Sequence, residues 1–169
     1  MASANSGVGS YNIVPVVNDP DNRLGNYSVT INNGTLTVTP AVLTVTAEDQ
    51  ARRYGAANPP LTASYHGFVN GEDAGELSGS PSLSATATAN SPVGLHPITA
   101  TLGTLSAANY TFSFAEGTLT IGPAILTGRA ENQSRAYGGS NPVFTVTYTG
   151  FVNGEEASLV TGALVASSP

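Results

Sequence analysis

The side chains that could do chemistry in this sequence are few, and each kind sits in a different stretch. Carboxylates cluster at Asp19 and Asp21, within Asn18-Asp-Pro-Asp-Asn22, and again at Glu72 and Asp73. A calcium ion takes about six to eight oxygens from one tight loop, and neither stretch has the alternating acidic pattern that supplies them, so both are read as solvated loop carboxylates. The imidazoles are His66 and His96, and the position equivalent to His66 in a later repeat of the sequence is Thr149. A catalytic histidine needs a nucleophile and an orienting acid, and a zinc site needs further ligands; none recurs at fixed spacing, so both histidines are expected at the surface. With no Cys and no Lys, the chain has no disulfide, thiolate ligand, Cys nucleophile, thioester or Lys–Asn isopeptide crosslink. The expectation is no catalytic residue, no cofactor-binding residue and no metal ligand, and the chain is not read as an enzyme.

Aromatic side chains are the remaining candidates. Tyr54 and Tyr137 each follow an Arg by two residues and precede a Gly. Aromatic faces suit pyranose rings, but a Tyr packed beside a turn, its hydroxyl bonded to the backbone, is the commoner arrangement and is expected here. Phe68 and Phe151, each beside an Asn-Gly pair, are expected to plug small cores. Glycosylation sequons occur at Asn26-Tyr27-Ser28 and Asn33-Gly34-Thr35, as they readily do in a chain rich in Ser, Thr and Asn.

The elements that must hold these residues follow from composition. Of 169 residues, 40% are apolar but only 7% aromatic, with no Trp, so cores are small and built from Val, Leu, Ile, Ala and Thr. Only 9% are charged, while Thr, Ser, Gly, Asn and Pro fill the polar positions of a strand-and-turn protein. A net charge of -6 with five scattered Arg offers no basic stripe, so neither nucleic acid nor an anionic membrane surface is an expected partner. No apolar run is long enough to span a bilayer, and Met1 to Ser10 lacks the regions of a signal peptide, so no targeting element is visible, and if the parent protein is secreted the chain is a piece excised from it.

A repeat organises the whole. Ala41 to Gly79 aligns without a gap with Ala124 to Gly162 at an offset of 83, as do Asn26-Tyr27 with Asn109-Tyr110 and Gly34 to Thr44 with Gly117 to Thr127. Upstream, Ser6-Gly-Val-Gly9 matches Ser91-Pro-Val-Gly94 with a two-residue change of spacing. With boundaries at the Pro-Ala junctions, the expected domains are the rear half of a repeat (1–40), a complete repeat (41–123), and the front half of another (124–169), complementary to 1–40.

Within the complete repeat, strands are expected at Val42 to Ala47, Leu61 to Tyr65, Ser82 to Thr88, Pro97 to Leu102, Tyr110 to Phe114 and Thr118 to Ile121, each alternating apolar or branched residues with small polar ones. Asn70-Gly71 and Asn153-Gly154 suit tight turns with positive φ, and Pro60 and Pro92 interrupt strand pairing. Glu72 to Leu77 carries the one expected helical segment, of one or two turns. The fold class is therefore mostly β: tandem small β-domains, either β-grasp-like or an Ig-like sandwich, with at most one short helix per repeat.

The blocks R-x-Y-G-x-x-N-P at Arg52 to Pro59, Y-x-G-F-V-N-G-E at Tyr65 to Glu72, S-P-V-G at Ser91 to Gly94 and N-Y-x-F-x-F-x-x-G-T-L-T at Asn109 to Thr120 resemble the MBG family. That family comprises YG-containing repeats of large bacterial exoproteins and adhesins. The resemblance implies a secreted or cell-surface module present in many copies, with no catalytic residues. A structural role is expected from it: a stalk, rod or filament in which each repeat contacts mainly its neighbours. The partners would be neighbouring repeats or copies of the chain, joined head to tail by complementation of half repeats, or the two halves of one chain would close on each other. An adhesin module binding host glycan or mucin is the alternative.

Overall fold

In a computed structural model the described residues are 2–161. Eleven strands follow one another among them: β1 (Gly9–Ile13), β2 (Gly34–Val38), β3 (Ala41–Ala47), β4 (Gln50–Arg53), β5 (Ala63–His66), β6 (Ser82–Ala85), β7 (Gly94–Thr101), β8 (Tyr110–Ala115), β9 (Gly117–Gly122), β10 (Thr127–Ala130) and β11 (Val146–Thr149). The only helical segments among the described residues are 3-10 turns at Leu24–Asn26, Ala74–Glu76 and Ala157–Leu159. The helix expected at Glu72 to Leu77 is thus a single 3-10 turn. Asp73 caps it by accepting the Gly75 amide at 2.8 Å, and Gly75 inside it disfavours propagation. No helix among the described residues is long and apolar enough to cross a membrane.

Two compact units divide the chain. The first comprises Met1–Ala47, Ala63–Leu83 and Ala100–Glu116. It contains the antiparallel hairpin β1–β2, paired from Gly9↔Val38 to Ile13↔Gly34, and a three-stranded sheet of order β5-β3-β8. Strand β3 pairs antiparallel with β5 (Thr44↔His66 to Ala47↔Ala63) and parallel with β8 (Ala41↔Tyr110 to Thr46↔Ala115). Its sequence AVLTVTA alternates as a strand should: Leu43, Val45 and Ala47 are buried on one face, while Thr44 on the other meets Ser113 across the ladder at 2.9 Å. Asn109, just before β8, ties two segments down. Its carbonyl accepts the Ala41 amide at 3.0 Å and its side-chain oxygen the Val8 amide at 3.0 Å.

The second unit comprises Glu48–Thr62, Ser84–Thr99 and Gly117–Pro169. It holds the four-stranded sheet β4-β9-β7-β6, apart from the outermost residues of β6 and β7, and the hairpin β10–β11. Strands β4 and β9 run parallel (Gln50↔Leu119 to Arg53↔Gly122), and β7 and β9 antiparallel (Gly94↔Ile121 to Ile98↔Gly117). Ile98, Leu119 and Ile121 are its fully buried side chains. Pro97 lies inside β7, a position that normally forfeits a ladder bond. It stands opposite Thr118 of β9, and further along β7 the Thr99 hydroxyl meets that of Ser84 on β6 at 2.8 Å.

The strands of the complete repeat therefore divide between two sheets, and no α-helix accompanies them among the described residues. The fold is thus mostly β, in several small sheets, as tandem small β-domains require.

Candidate functional site

Chemically distinctive side chains gather at the Tyr54-Gly55 turn. Strand β4 delivers the chain to Arg53, the Tyr54 amide adds one more bond to the Gly122 carbonyl at 2.8 Å, and the turn closes from the Ala56 amide to the Arg53 carbonyl at 3.1 Å. Arg52 braces the turn from beneath. Its Nε donates to Asn58 Oδ1 at 2.7 Å, Nη1 to the Arg53 carbonyl at 3.1 Å, and Nη2 to the Thr88 carbonyl. Asn58 Nδ2 completes the web by donating to the Ala87 carbonyl at 2.7 Å. The planar guanidinium fork suits this work, since it can hold several acceptors at once in fixed geometry.

Against this turn sits a second one, Val152-Asn153-Gly154-Glu155. Asn153 (φ 55°) and Gly154 (φ 76°) both carry the positive φ of a type I′ turn, closed from the Glu155 amide to the Val152 carbonyl at 3.0 Å. Tyr54 donates its hydroxyl hydrogen to Glu155 Oε1 at 2.6 Å, a short charge-assisted bond. The Gly55 amide and the Asn153 side-chain amide both donate to the Ala89 carbonyl, each at 3.2 Å. Gly55, at φ +83°, lies so close to Val152 that a Cβ built on it would fall 2.5 Å from the valine Cβ. Only glycine supplies both the backbone conformation and the clearance. In sequence terms, the Y-G of one repeat is locked to the V-N-G-E of the next.

The equivalent V-N-G-E turn in the complete repeat has the same backbone, with Asn70 at φ 55° and Gly71 at φ 76°. Its carboxylate, Glu72, accepts the hydroxyl hydrogen of Tyr110 through Oε2. That hydroxyl also accepts the Val69 amide at 3.1 Å, and the Tyr110 ring meets Phe68 edge-on with centroids 5.7 Å apart. Donation to Glu72 raises the Tyr110 pKa above the ordinary 10.0, because ionising the phenol would remove the bond and set two anions together; the Val69 amide pulls the other way.

The residues singled out from sequence are distributed as follows. Tyr54 does pack beside its turn, but its hydroxyl goes to a carboxylate and not to the backbone, whereas Tyr137 is fully exposed. Phe68 and Phe151 are half-buried beside their Asn-Gly turns, Phe151 near Tyr148 at 6.5 Å between centroids. Asp19 accepts the Arg23 and Leu24 amides at 2.9 and 2.8 Å, holding its own loop, and Asp21 is exposed. His66 is exposed on β5, and His96 bonds the Pro92 carbonyl at 2.9 Å. The sequon residues Asn26 and Asn33 are exposed. Sequence reasoning missed Arg52, Asn58, Glu72 and Glu155 as the working parts of the turns. The available signal was that Arg, Asn and Glu recur at unchanged spacing in both copies, although polar loop residues have no fold-level reason to do so.

Compared with known proteins, the chain matches a family model described as MBG domain (YGX type), over residues 43–120 and again over 126–168. No curated protein and no solved structure matches it.

Proposed function

We propose a structural role for this chain, which belongs to the MBG domain family of YGX type: it is a repeat module that builds a stalk, rod or filament of a bacterial surface protein outside the cell. Its organisation is then the rear half of a repeat at 1–40, a complete repeat at 41–123 and the front half of another at 124–169, as the 83-residue offset divides it. The observation that carries the reading is the joint of Tyr54-Gly55 against Val152 and Glu155. Tyr54 and Gly55 pack on the turn at Val152 to Glu155 from the following copy of the sequence, which serves a serial structure in which neighbours support neighbours. Catalysis has no assigned residues in this reading, and no cofactor or metal is called for.

Hydrogen exchange on the chain tests it. The amides of Gly55 and Glu155, bonded to Ala89 and Val152, should be protected together and lose protection together when Tyr54→Ala opens the joint. Unprotected amides at both positions in the unaltered chain would show that the repeats are not locked and would remove the reading.

A second reading, an adhesin module for host glycan or mucin, is favoured by one observation: the Tyr137 ring stands fully exposed at a Y-G turn, available for stacking on a sugar. A glycan array probed with the chain and with Tyr137→Ala decides it. Binding lost on substitution supports it, and no binding by either chain removes it.

A further inference from the structure

The stretch from Ala41 to Gly122 begins and ends on strands that run the same way. Strand β3 opens it and pairs parallel with β8, from Ala41↔Tyr110 to Thr46↔Ala115. Beyond Ala47 the chain passes to β4, and beyond Ala115 to β9, and these two are again parallel, from Gln50↔Leu119 to Arg53↔Gly122. Each pair lies within one of the two compact units.

The direction of these pairs decides how they respond to tension. A pull on the chain enters β3 at Ala41 and leaves β8 at Ala115, residues at opposite ends of the same pair. From Ala41 to Thr46, the partner of Ala115, is five steps of about 3.3 Å, so the two points lie roughly 17 Å apart along the strands and about 4.8 Å across them. The pull therefore runs nearly along the strand axis, and it loads every bond of the ladder together. In the antiparallel β3–β5 pair, by contrast, Thr44 and His66 stand directly opposite each other, and a pull between them opens the ladder one bond at a time.

Sliding is opposed by more than the ladder. A slip of one residue turns Phe112 and Phe114 away from the face they share with Leu43 and Val45, both 0% exposed. On the other face the Thr44 hydroxyl meets that of Ser113 at 2.9 Å, and the Thr111 hydroxyl donates to the Ala41 carbonyl at 3.3 Å. At the trailing end of β8 the buried Tyr110 hydroxyl accepts the Val69 amide at 3.1 Å and donates to Glu72, while its ring stands edge-on to Phe68. Drawing β8 forward has to pull this ring from its seat.

We propose, resting on the structural-module reading, that residues 41–122 are a mechanical clamp carrying tension along the chain. Strand β3 sheared against β8 bears the load, Tyr110 resists the first slip, and β4 sheared against β9 takes over when the first pair gives way. The pairs act in sequence because β3 leads covalently into β4 and β8 into β9. From Gln50 to Arg53, the partner of Gly122, the second pair spans three steps, roughly 10 Å, again longer than it is wide. Resistance of this kind is a rate of opening under load, set by direction as well as by stability.

Unfolding the whole chain in optical tweezers tests this. The sequence has no Cys, so two introduced cysteines fix the points of attachment. Pro40→Cys with Pro123→Cys, both at exposed positions, pulls along the clamp. Val42→Cys with Thr111→Cys, exposed and directly opposite each other, pulls the same two strands apart sideways. The lengthwise attachment should need several times the force of the sideways one, although both open the same fold. At a fixed lengthwise load Tyr110→Phe should open about tenfold faster, the ordinary loss for a hydrogen bond to a charged group. Equal forces in the two directions overturn the proposal, as does a lengthwise opening rate that Tyr110→Phe leaves unchanged. Either result, with the Gly55 and Glu155 amides still protected together, removes the clamp and leaves the structural-module reading standing.

Discussion

Residues 41–123 and the copies of their sequence on either side share a pattern but not a set of strands. The hairpin β10–β11 copies β3–β5 in register, Thr127↔Thr149 standing for Thr44↔His66, and β1–β2 copies the pairing of β7 with β9. Among the described residues, what the flanking copies lack is every parallel pair. Residues 124–126 are not strand although Ala41–Leu43 are, Gln133–Ala136 are not although Gln50–Arg53 are, and Tyr27–Asn32 are not although Tyr110–Ala115 are. An antiparallel hairpin closes within one half and needs a short connection; a parallel pair joins the front half of a repeat to its rear half, so neither half can make it alone. Burial follows the pairing. Leu119 is fully buried and its counterpart Leu36 is 43% exposed.

The comparison can be broken most directly at equivalent leucines. Leu43→Ala should cost about 2–5 kcal/mol, the range for buried leucine truncation, and Leu126→Ala no more than about 0.5 kcal/mol. Urea unfolding of the two variants measures both, and equal costs would mean that the half repeat is packed like the whole one.

Next in size are the two Y-G glycines, which share a backbone conformation at φ +83° and +82°. Alanine at either pays for the left-handed conformation, roughly 1–2 kcal/mol. Gly55→Ala adds a collision with Val152, whereas a Cβ on Gly138 meets nothing within 4 Å. The melting temperature should therefore fall further for Gly55→Ala, and exchange at the Glu155 amide should quicken only in that variant.

Arg52→Ala should cost about 1–2 kcal/mol, because the carbonyl of Thr88 and the side chain of Asn58 lose a charged donor. Arg135 keeps the local bond to Asn141 at 2.7 Å but lies in an exposed stretch, so Arg135→Ala should cost less than about 0.5 kcal/mol in the same urea experiment.

The smallest effect sharpens the role of the strand tyrosine. A phenol whose folded pKa is raised contributes stability that is complete below its unfolded value of 10.0 and is lost as pH rises through the higher folded value. Alkaline unfolding should therefore show a decline beginning near pH 10 that Tyr110→Phe removes, while Tyr27→Phe leaves it in place.

Strands defined by apolar alternation were legible from the sequence. Val42 to Ala47, Tyr110 to Phe114 and Thr118 to Ile121 all form within a residue of their expected limits. Gln50–Arg53 was not, since QARR carries no apolar pattern and becomes strand only through β9, a partner more than sixty residues away in sequence. The strand expected through Thr88 stops at Ala85, because the carbonyls of Ala87 and Thr88 are taken by Asn58 and Arg52 instead of a neighbouring strand. The strand expected from Pro97 begins at Gly94, because β9 pairs with it from Gly94↔Ile121 onward. Asn70-Gly71 and Asn153-Gly154 were read correctly as positive-φ turns because that preference is local. The joint was not readable, because which turn a Y-G meets depends on the three-dimensional path between repeats and leaves only the recurrence of Arg, Asn and Glu as its trace.

Strand β4 has one more consequence, and it concerns proteolysis. With no Lys and five Arg, a protease specific for basic residues finds bonds only after Arg23, Arg52, Arg53, Arg129 and Arg135. Such an enzyme must draw the scissile segment into an extended conformation and take the arginine side chain into its own pocket. In β4 the backbone is already committed to β9, and the Arg52 side chain is already held by Asn58 and by the Thr88 carbonyl. The three other arginines lie outside the complete repeat, in exposed or half-paired stretches. Digestion should trim the chain from both sides and pause at a core retaining 41–123, so that survival in a protease-rich surrounding becomes a measure of whether a repeat has found its other half.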